Sequence, residues 1–377
     1  MDFADRAGKS VAVDIFDAKD FASQGPKGCN HCGGIISESL VQHLAAEGIV
    51  LPADVVQRGI DAYVLHVDGG SVDIATPLEE KRIAATYRGG GPKGAGEHQW
   101  VSFDGFLQGL AEKRGATVRN VRVDAVDFGG DLPIVQPRGG EPAAYDLVVG
   151  ATGVNAAPKN LFDGAHVEFE PARTARTYIS EFRFGRERIQ ELLGDAMHVF
   201  LLDIPKLQFG AIIPKGEFAT LVLLGEGIDK DMVGRFLAAP EVRGCFPEGL
   251  DIPNCFDCQC YPKINVQAAV RPYADRLVLI GDVASTKLYK NGIGAGYLVA
   301  KAAAATAMFD GISARAFARG YAPLCRKIER DNGLGRLIFL VTGAVKKMGF
   351  VKQAFLRVIA AEQPRPGPKR RLSGVMW

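Results

Sequence analysis

From Ser10 to Phe16 apolar and polar positions alternate and close on an apolar pair, which predicts a strand ending at Asp17. Phe21 to Gly34 breaks the pattern with Gly, Lys, Asn and Cys and reads as a loop. A helix is expected over Ser37 to Glu47, with Ser37 as N-cap and Gly48 as its stop. Ile60 to Pro77 has the look of a hairpin: Tyr63 to Val67, a turn at Asp68-Gly-Gly70, then Ser71 to Ile74. Ser102 to Arg114 predicts a second helix, closed by Gly115. Strand-like alternation returns from Thr117 to Phe128 and over Ile134 to Gln136, and Tyr145-Asp-Leu-Val-Val149 predicts a buried strand leaving through Gly150, Ala151, Thr152 and Gly153.

Between about Val154 and Tyr273 the alternating runs lengthen, notably His198 to Asp203, Gln208 to Ile213 and Ala219 to Leu224, with a helix over Asp229 to Leu237 among them. Arg276 to Ile280 restores a short buried strand, and Gly294 to Phe309 is an Ala-rich helical stretch. Short buried strands near both ends, with strand-rich segments between them, predict an α/β fold in which one discontinuous domain carries an inserted, sheet-rich second domain. The expected boundaries are 1–58, 101–158 and 274–320 for the first domain, 59–100 and 159–273 for the second, and 321–377 for a helical, basic C-terminal region.

At 377 residues the chain is long enough for two sizeable cores. Its formal net charge of +2 lacks the basic excess of a nucleic-acid binder. No uninterrupted apolar run reaches the roughly 20 residues that cross a bilayer, and Met1 to Lys9 has no apolar core of a signal sequence. Seven irregularly spaced cysteines do not form a disulfide framework, and the expected compartment is the cytoplasm.

Three separated segments make chemical sense together. Asp17 ends a strand, where a carboxylate can take the hydroxyls of an adenosine ribose. Ala151, Thr152 and Gly153 follow a buried strand with small residues that let backbone approach a ligand. Gly281-Asp282 closes the Arg276 strand, and Asn291-Gly-Ile-Gly-Ala-Gly296 then opens a helix whose free N–H groups suit pyrophosphate. Taken singly, a terminal aspartate is more often a strand end, and a small-residue turn is as often an ordinary exit. In series the three point to a dinucleotide.

That order resembles flavoproteins of the para-hydroxybenzoate hydroxylase fold, and within them the geranylgeranyl reductase family. Lys27-Gly-Cys-Asn-His-Cys-Gly-Gly34 is similar to the family's Pro-x-x-Cys-Gly-Gly loop, and the resemblance places Cys32 at the cysteine beside flavin and substrate, followed by Gly33 and Gly34. Phe209-Gly-Ala-Ile-Ile-Pro214, with Gly225-Glu-Gly227 after it, resembles the substrate-cavity motif Tyr-x-Trp-x-Phe-Pro and Gly-x-Gly. Here Phe209, Ala211 and Ile213 replace the tyrosine, tryptophan and phenylalanine, so an apolar wall of different shape is expected, closed by Pro214.

The resemblance implies FAD as cofactor, with Asp17 at the ribose, Ala151, Thr152 and Gly153 along the dinucleotide, and Gly281, Asp282, Gly292, Ile293 and Gly294 at the ribityl-pyrophosphate region. It implies NAD(P)H or a reduced electron carrier as donor. The family's fold opens with a strand and Gly-x-Gly-x-x-Gly, which nothing before Ser10 matches. A segment of roughly 25 residues is therefore expected ahead of Met1, judged from the size of a βα half-unit. Gly374-Val-Met-Trp377 also reads as an abrupt end. The fold expected is thus a Rossmann-like FAD domain lacking its first element, with an inserted substrate domain.

Cys29-x-x-Cys32 and Cys255-x-x-Cys258 have metal-ligand spacing, with Cys260 close by, but they lie in different regions and Cys32 already has a place in the loop motif. No metal is expected, and His31 reads as a solvated loop residue. In the tail from Arg336 to Arg371, apolar stretches alternate with Lys346, Lys347, Lys352, Arg357, Arg365, Lys369, Arg370 and Arg371. Such a pattern suits either an anionic membrane surface or ordinary packing with a basic edge. The expected activity is FAD-dependent reduction of carbon–carbon double bonds in an isoprenoid or other apolar, lipid-like substrate. An aromatic hydroxylase or halogenase on the same fold, or a lipid binder without flavin, are the alternatives.

Overall fold

The computed structural model describes residues 1–76, 83–93, 95, 100–155, 161–165, 169–252, 256–288, 291–346 and 349–364. The chain divides into two units, each assembled from three separated segments.

The first unit comprises Met1–Asp20, Asp104–Ala175 and Lys263–Gly335. Its strand Asp14–Phe16 pairs in parallel with Thr117–Arg119, Asp14 opposite Thr117. A separate sheet pairs Val148–Gly150 in parallel with Leu277–Leu279, so that Gly150 lies opposite Leu279. Strands Val123–Asp127, Ile134–Pro137 and Ala143–Ala144 form a third, antiparallel sheet.

Helix Gly292–Phe309 presents Ala295, Val299, Ala303 and Ala307, a stripe at every fourth residue, to Val278, Phe317, Tyr321 and Ile328. The stripe's small side chains let the helix sit close to the strand, and the Tyr321 hydroxyl donates to the Leu279 carbonyl at 2.5 Å. By length and composition this helix is apolar enough to cross a membrane, but the buried stripe marks it as a core helix.

The second unit comprises Phe21–Phe103, Arg176–Pro262 and Arg336–Trp377. Its main sheet runs in the order Cys258–Cys260, Arg173–Arg183, Phe218–Gly225, Leu207–Lys215, Ala196–Leu201, Ala62–Val67 and Gly70–Ala75. All neighbours are antiparallel except Ala196–Leu201 with Ala62–Val67.

Strand alternation sorts the side chains onto two faces. Tyr178, Phe182, Phe200, Ile212, Leu221 and Leu223 face helices Arg186–Leu193 and Lys230–Ala238, meeting Ile189, Leu193, Met232 and Phe236. Each fully buried phenylalanine here contributes roughly 1.5–3 kcal/mol. The opposite face carries Phe209, Ala211, Ile213 and Val222, which pack with Ile35 and Ala85 of a smaller sheet built from Ile35–Ile36, Ile83–Thr86 and Val56–Ile60. Helix Gly349–Glu362 packs Ile359 against Ile60, Tyr63, Leu65 and Ile74.

The hydrophobic pattern located most elements to within a few residues. Helix Glu38–Ala46 has Ser37 accepting from the Leu40 N–H, helix Lys230–Ala238 has Asp229 accepting from Met232, and the hairpin turns at Asp68–Gly69. Two strands are shorter than their apolar runs: Asp14–Phe16 and Val148–Gly150. The Ala-rich helix begins at Gly292, two residues earlier than its pattern suggested, because Asn291 adopts a left-handed conformation and caps Gly294 with its side chain. The longest strand, Arg173–Arg183, was not anticipated, since Arg, Thr, Ser and Glu interrupt its apolar face. Pro77, Lys347, Arg365, Lys369 to Arg371, Gly374 to Trp377 and Cys255 lie outside the described residues.

Candidate functional site

In the second unit, the loop ahead of Ile35 lies on the Phe209–Ile213 face of the sheet because glycine allows it. Gly34 has φ +69°, and a Cβ there would stand 2.0 Å from the Thr86 carbonyl oxygen and 2.9 Å from Lys215 Nζ. In return the Thr86 N–H donates to the Gly34 carbonyl at 2.7 Å. A Cβ on Gly33 would lie 3.2 Å from Val222 and 3.4 Å from Ile213. The loop therefore touches the apolar wall with its backbone. Cys32 Sγ accepts from the Gly34 N–H at 3.4 Å, and Cys29 Sγ from the His31 N–H at 3.1 Å.

Two charges lie on the same sheet face. Lys215 and Glu181 are both buried, with Lys215 Nζ 3.8 Å from Glu181 Oε1 and 4.9 Å from the centre of the Tyr87 ring. Thr220 donates its hydroxyl to Glu181 Oε2 at 2.8 Å. Burial pushes the Glu181 carboxyl above its usual range, while Lys215 and Thr220 pull it back. Removal from water costs several kcal/mol per ion, so such a pair is poor evidence for stability and better evidence for a task. Among the described residues the buried Tyr87 hydroxyl has no hydrogen-bond partner, and burial together with the Glu181 charge holds it well above the usual phenol range.

Cys258 and Cys260 stand on the edge strand opposite Glu181 and Ile179. The fold brings Cys29 near enough to both for their charges to interact, joining two cysteine groups that the sequence kept apart. Burial pushes Cys258 up to about 11 and Cys260 up to about 12, and raises Cys29. At neutral pH these three are thiols and weak nucleophiles.

Of the four expected cavity residues, Phe209, Ala211 and Ile213 share this wall, while alternation turns Pro214 to the other face. Glu181, Lys215 and Tyr87 were missed. The available signal was a charge placed in the inward phase of an otherwise apolar strand, at Glu181 between Ile179 and Arg183 and at Lys215 two residues beyond Ile213.

In the first unit, parallel pairing brings the Ala151–Gly153 and Gly281–Asp282 turns to one edge, and Ile280 donates its N–H to the Gly150 carbonyl at 2.9 Å. Gly153 and Gly281 have φ +67° and +69° and open space where a Cβ would be. Between Ala151 and Gly153, Thr152 is half-buried and turns its hydroxyl onto the Gly153 carbonyl, at a long 3.5 Å. That side chain is engaged within its own turn, and the long, weak bond leaves the hydroxyl easy to redirect. A Cβ on Gly296 would lie 3.9 Å from Gly281 Cα, so the Gly281 turn adjoins the start of the Gly292 helix. Asp282 is held from behind, its carbonyl accepting from Asn265 Nδ2 at 2.8 Å. Ser285 nearby keeps a buried hydroxyl that has no partner among the described residues. Asp17 belongs to the other parallel pair, and its Oδ1 accepts from the Lys19 N–H at 2.9 Å. Backbone N–H groups at a helix start, open glycine backbone and a carboxylate are the donor and acceptor set that a ribityl-pyrophosphate requires.

No family model and no curated protein sequence matches the chain. Solved structures do. A geranylgeranyl bacteriochlorophyll reductase-like protein from Thermoplasma acidophilum superposes with a TM-score of 0.66 at 17% identity, over 96% of this chain and 87% of that one. HpxO from Klebsiella pneumoniae, complexed with FAD and uric acid, gives 0.60 at 14% identity over 99% and 91%. The halogenase PltM gives 0.61 at 12% identity over 99% and 83%. These likenesses show the fold: an α/β flavoprotein fold with a discontinuous Rossmann-like unit and an inserted sheet-rich unit.

Proposed function

We propose that this chain is an FAD-dependent oxidoreductase that reduces carbon–carbon double bonds of an isoprenoid or similarly apolar substrate. The observation that carries the reading is the second unit's sheet face. Phe209, Ala211, Ile213 and Val222 form an apolar wall against the Gly33–Gly34 backbone, and the same face carries the buried pair Glu181 and Lys215. Such a wall recognises hydrocarbon by burial and leaves a proton source at one end.

In the first unit, Asp17 would hold the adenosine ribose, Ala151, Thr152 and Gly153 would line the dinucleotide, and Gly281, Asp282, Gly292, Ile293 and Gly294 would hold its ribityl-pyrophosphate. FAD, when bound, supplies the hydride, with NAD(P)H or a reduced carrier as its source of electrons. Saturating a double bond also consumes a proton. Lys215 carries one within reach of Glu181 and beside the Gly34 backbone, in a site that excludes water. Cys32 would contact the substrate from the loop. The substrate class also suits a peripheral membrane contact through helix Gly349–Glu362, where Phe350 is 87% exposed, in a protein otherwise of the cytoplasm.

The test is anaerobic single turnover of the FAD-reduced protein with a polyprenyl substrate. Flavin reoxidation coupled to a saturated product is expected; rapid oxygen uptake with an aromatic substrate instead would assign the chain to the hydroxylases and halogenases. Asp282→Ala should release flavin on desalting, and full retention would remove Asp282 from the site. Cys32→Ala should keep flavin and lower the reoxidation rate, while Cys29→Ala leaves it near the parent value. Equal rates in the Cys32 variant and the parent would remove the catalytic role; equal losses in both variants would point to a shared thiol function.

A further inference from the structure

On the opposite face of the main sheet, away from the apolar wall, two histidines and a cysteine converge. His66 and His198 stand on the parallel strands Ala62–Val67 and Ala196–Leu201, where Phe200 lies opposite His66. Cys245 follows the short helix Pro240–Arg243. All three are buried, at 9%, 8% and 3% exposure. His66 Nε2 lies 2.9 Å from His198 Nδ1, which lies 3.3 Å from Cys245 Sγ, and all three ligand atoms fall within 4.8 Å of one another. The remaining ring nitrogen of His198 faces the Leu193 carbonyl at 3.3 Å.

Hydrogen bonding alone serves this cluster poorly. If His198 Nε2–H donates to the Leu193 carbonyl, its Nδ1 has a single lone pair. The His66 Nε2–H and the Cys245 S–H both face it, and the thiol's other acceptor is the Glu241 carbonyl at a long 3.8 Å. Reversing the tautomer leaves the Leu193 carbonyl facing a second acceptor instead. One cation among the three atoms would satisfy every lone pair at once. We propose that His66 Nε2, His198 Nδ1 and Cys245 Sγ form a three-ligand site for a thiolate- and imidazole-seeking divalent cation, of which Zn2+ is the best match.

The geometry is close to what the ion needs. Tetrahedral zinc with Zn–N of about 2.0–2.1 Å and Zn–S of about 2.3 Å sets N···N near ~3.3 Å and N···S near ~3.6 Å. The two spacings to His198 Nδ1, 2.9 and 3.3 Å, are a few tenths of an ångström shorter, and His66 Nε2 and Cys245 Sγ lie within 4.8 Å of each other, so small side-chain shifts bring the three atoms onto one ion. The Leu193 carbonyl on His198 Nε2–H is the outer partner that fixes a ligating tautomer. Phe200 stacks on the His66 ring at 4.5 Å between centroids and holds its orientation. The Asp73 carboxylate, on the neighbouring strand Gly70–Ala75, acts electrostatically on His198 and favours a cation. On binding, the Cys245 S–H gives its proton to solvent and a metal–sulfur bond forms, with no change of oxidation state.

The experiment uses the full chain, expressed with added zinc and desalted, with bound metal measured per chain. One zinc ion per chain is expected, with Cys245→Ala and His198→Gln losing it and Cys29→Ala and Cys258→Ala keeping it. Cobalt substitution of the unaltered protein should give a thiolate-to-cobalt charge-transfer band, and X-ray absorption at the zinc edge should report one sulfur with two imidazoles. The absorption measurement needs no variant, so the site stays testable if the alanine proteins do not fold. Trace metal only, with no cobalt spectrum, would overturn the site. So would a sulfur-rich shell lost in the Cys29 or Cys258 variant.

Discussion

Lys215→Met should lower stability by about 3–5 kcal/mol near neutral pH, because it leaves a buried carboxylate without its counter-charge. The partner has little else to turn to. Glu181 keeps the Thr220 hydroxyl at 2.8 Å, one neutral hydrogen bond for a charge whose side chain is 9% exposed. Two further variants separate the lost pair from lost packing. Glu181→Gln alone keeps the lysine beside a neutral partner, and Lys215→Met combined with Glu181→Leu removes both charges. The double variant should recover most of the loss in a urea titration, since replacing both ions by apolar groups is close to neutral. A double variant no more stable than Lys215→Met would mean that packing, and not charge, sets the cost. Substrate reduction should be lost in both, with flavin retained.

The same substitution carries a pH signature of known sign. Burial already raises the Glu181 carboxyl above its unfolded value of 4.5, and Lys215 opposes that rise. Removing the lysine moves the carboxyl higher still. A folded-state pKa above the unfolded one means that the native state binds the proton more tightly. The associated stability is fully present below the unfolded value and disappears as pH rises through the folded one. The deficit of Lys215→Met relative to the parent should therefore shrink on going from pH 8 to pH 5. A deficit that is constant over that range would show that Glu181 does not titrate there.

Much of this fold is legible because its signals are local. Ser37 and Asp229 cap helices through side-chain oxygens bonded three residues ahead, and the Gly281-Asp282 and Asn291-Gly292 turns sit where short buried strands and a helix meet. Local propensity and punctuation suffice for such features. The candidate site was legible only where a contiguous motif carried it, in the Cys29–Gly34 loop and the Phe209–Ile213 wall. Glu181 and Lys215 are assembled by strand register, Glu181 lying opposite Thr220, which lies opposite Ile213, two residues from Lys215, and Tyr87 reaches Lys215 from the end of a strand in a separate sheet. No window of sequence contains that row. The cluster of His66, His198 and Cys245 escapes for the same reason, being drawn from two parallel strands and a turn after a distant helix. Parallel pairing joins residues far apart in the chain, so which faces meet is a property of the sheet and not of either strand's own pattern.

Gly34→Ala should be the most damaging single-methyl change in the loop, with an expected loss of at least about 3 kcal/mol, and the size follows from two separate causes. A non-glycine residue at φ +69° costs about 1–2 kcal/mol from its own backbone. The added Cβ then meets the Thr86 carbonyl oxygen at 2.0 Å, and that atom belongs to the strand Ile83–Thr86, not to a flexible side chain. Either the loop or the strand must shift, and the shift breaks the 2.7 Å bond from the Thr86 N–H to the Gly34 carbonyl, worth about 1 kcal/mol. Gly48→Ala isolates the first cause: φ is +74° there, with nothing within 4 Å of the new methyl, so about 1 kcal/mol should be lost. Gly33→Ala isolates the crowding, because its Cβ meets only the Val222 and Ile213 side chains, at 3.2 and 3.4 Å, and these can yield. Amide exchange at Thr86 reports the outcome directly. It should accelerate in Gly34→Ala and stay near the parent rate in Gly48→Ala and Gly33→Ala. Protection of Thr86 that survives the Gly34 change would mean that the loop does not rest on this strand, and the wall beneath it would lose its cover.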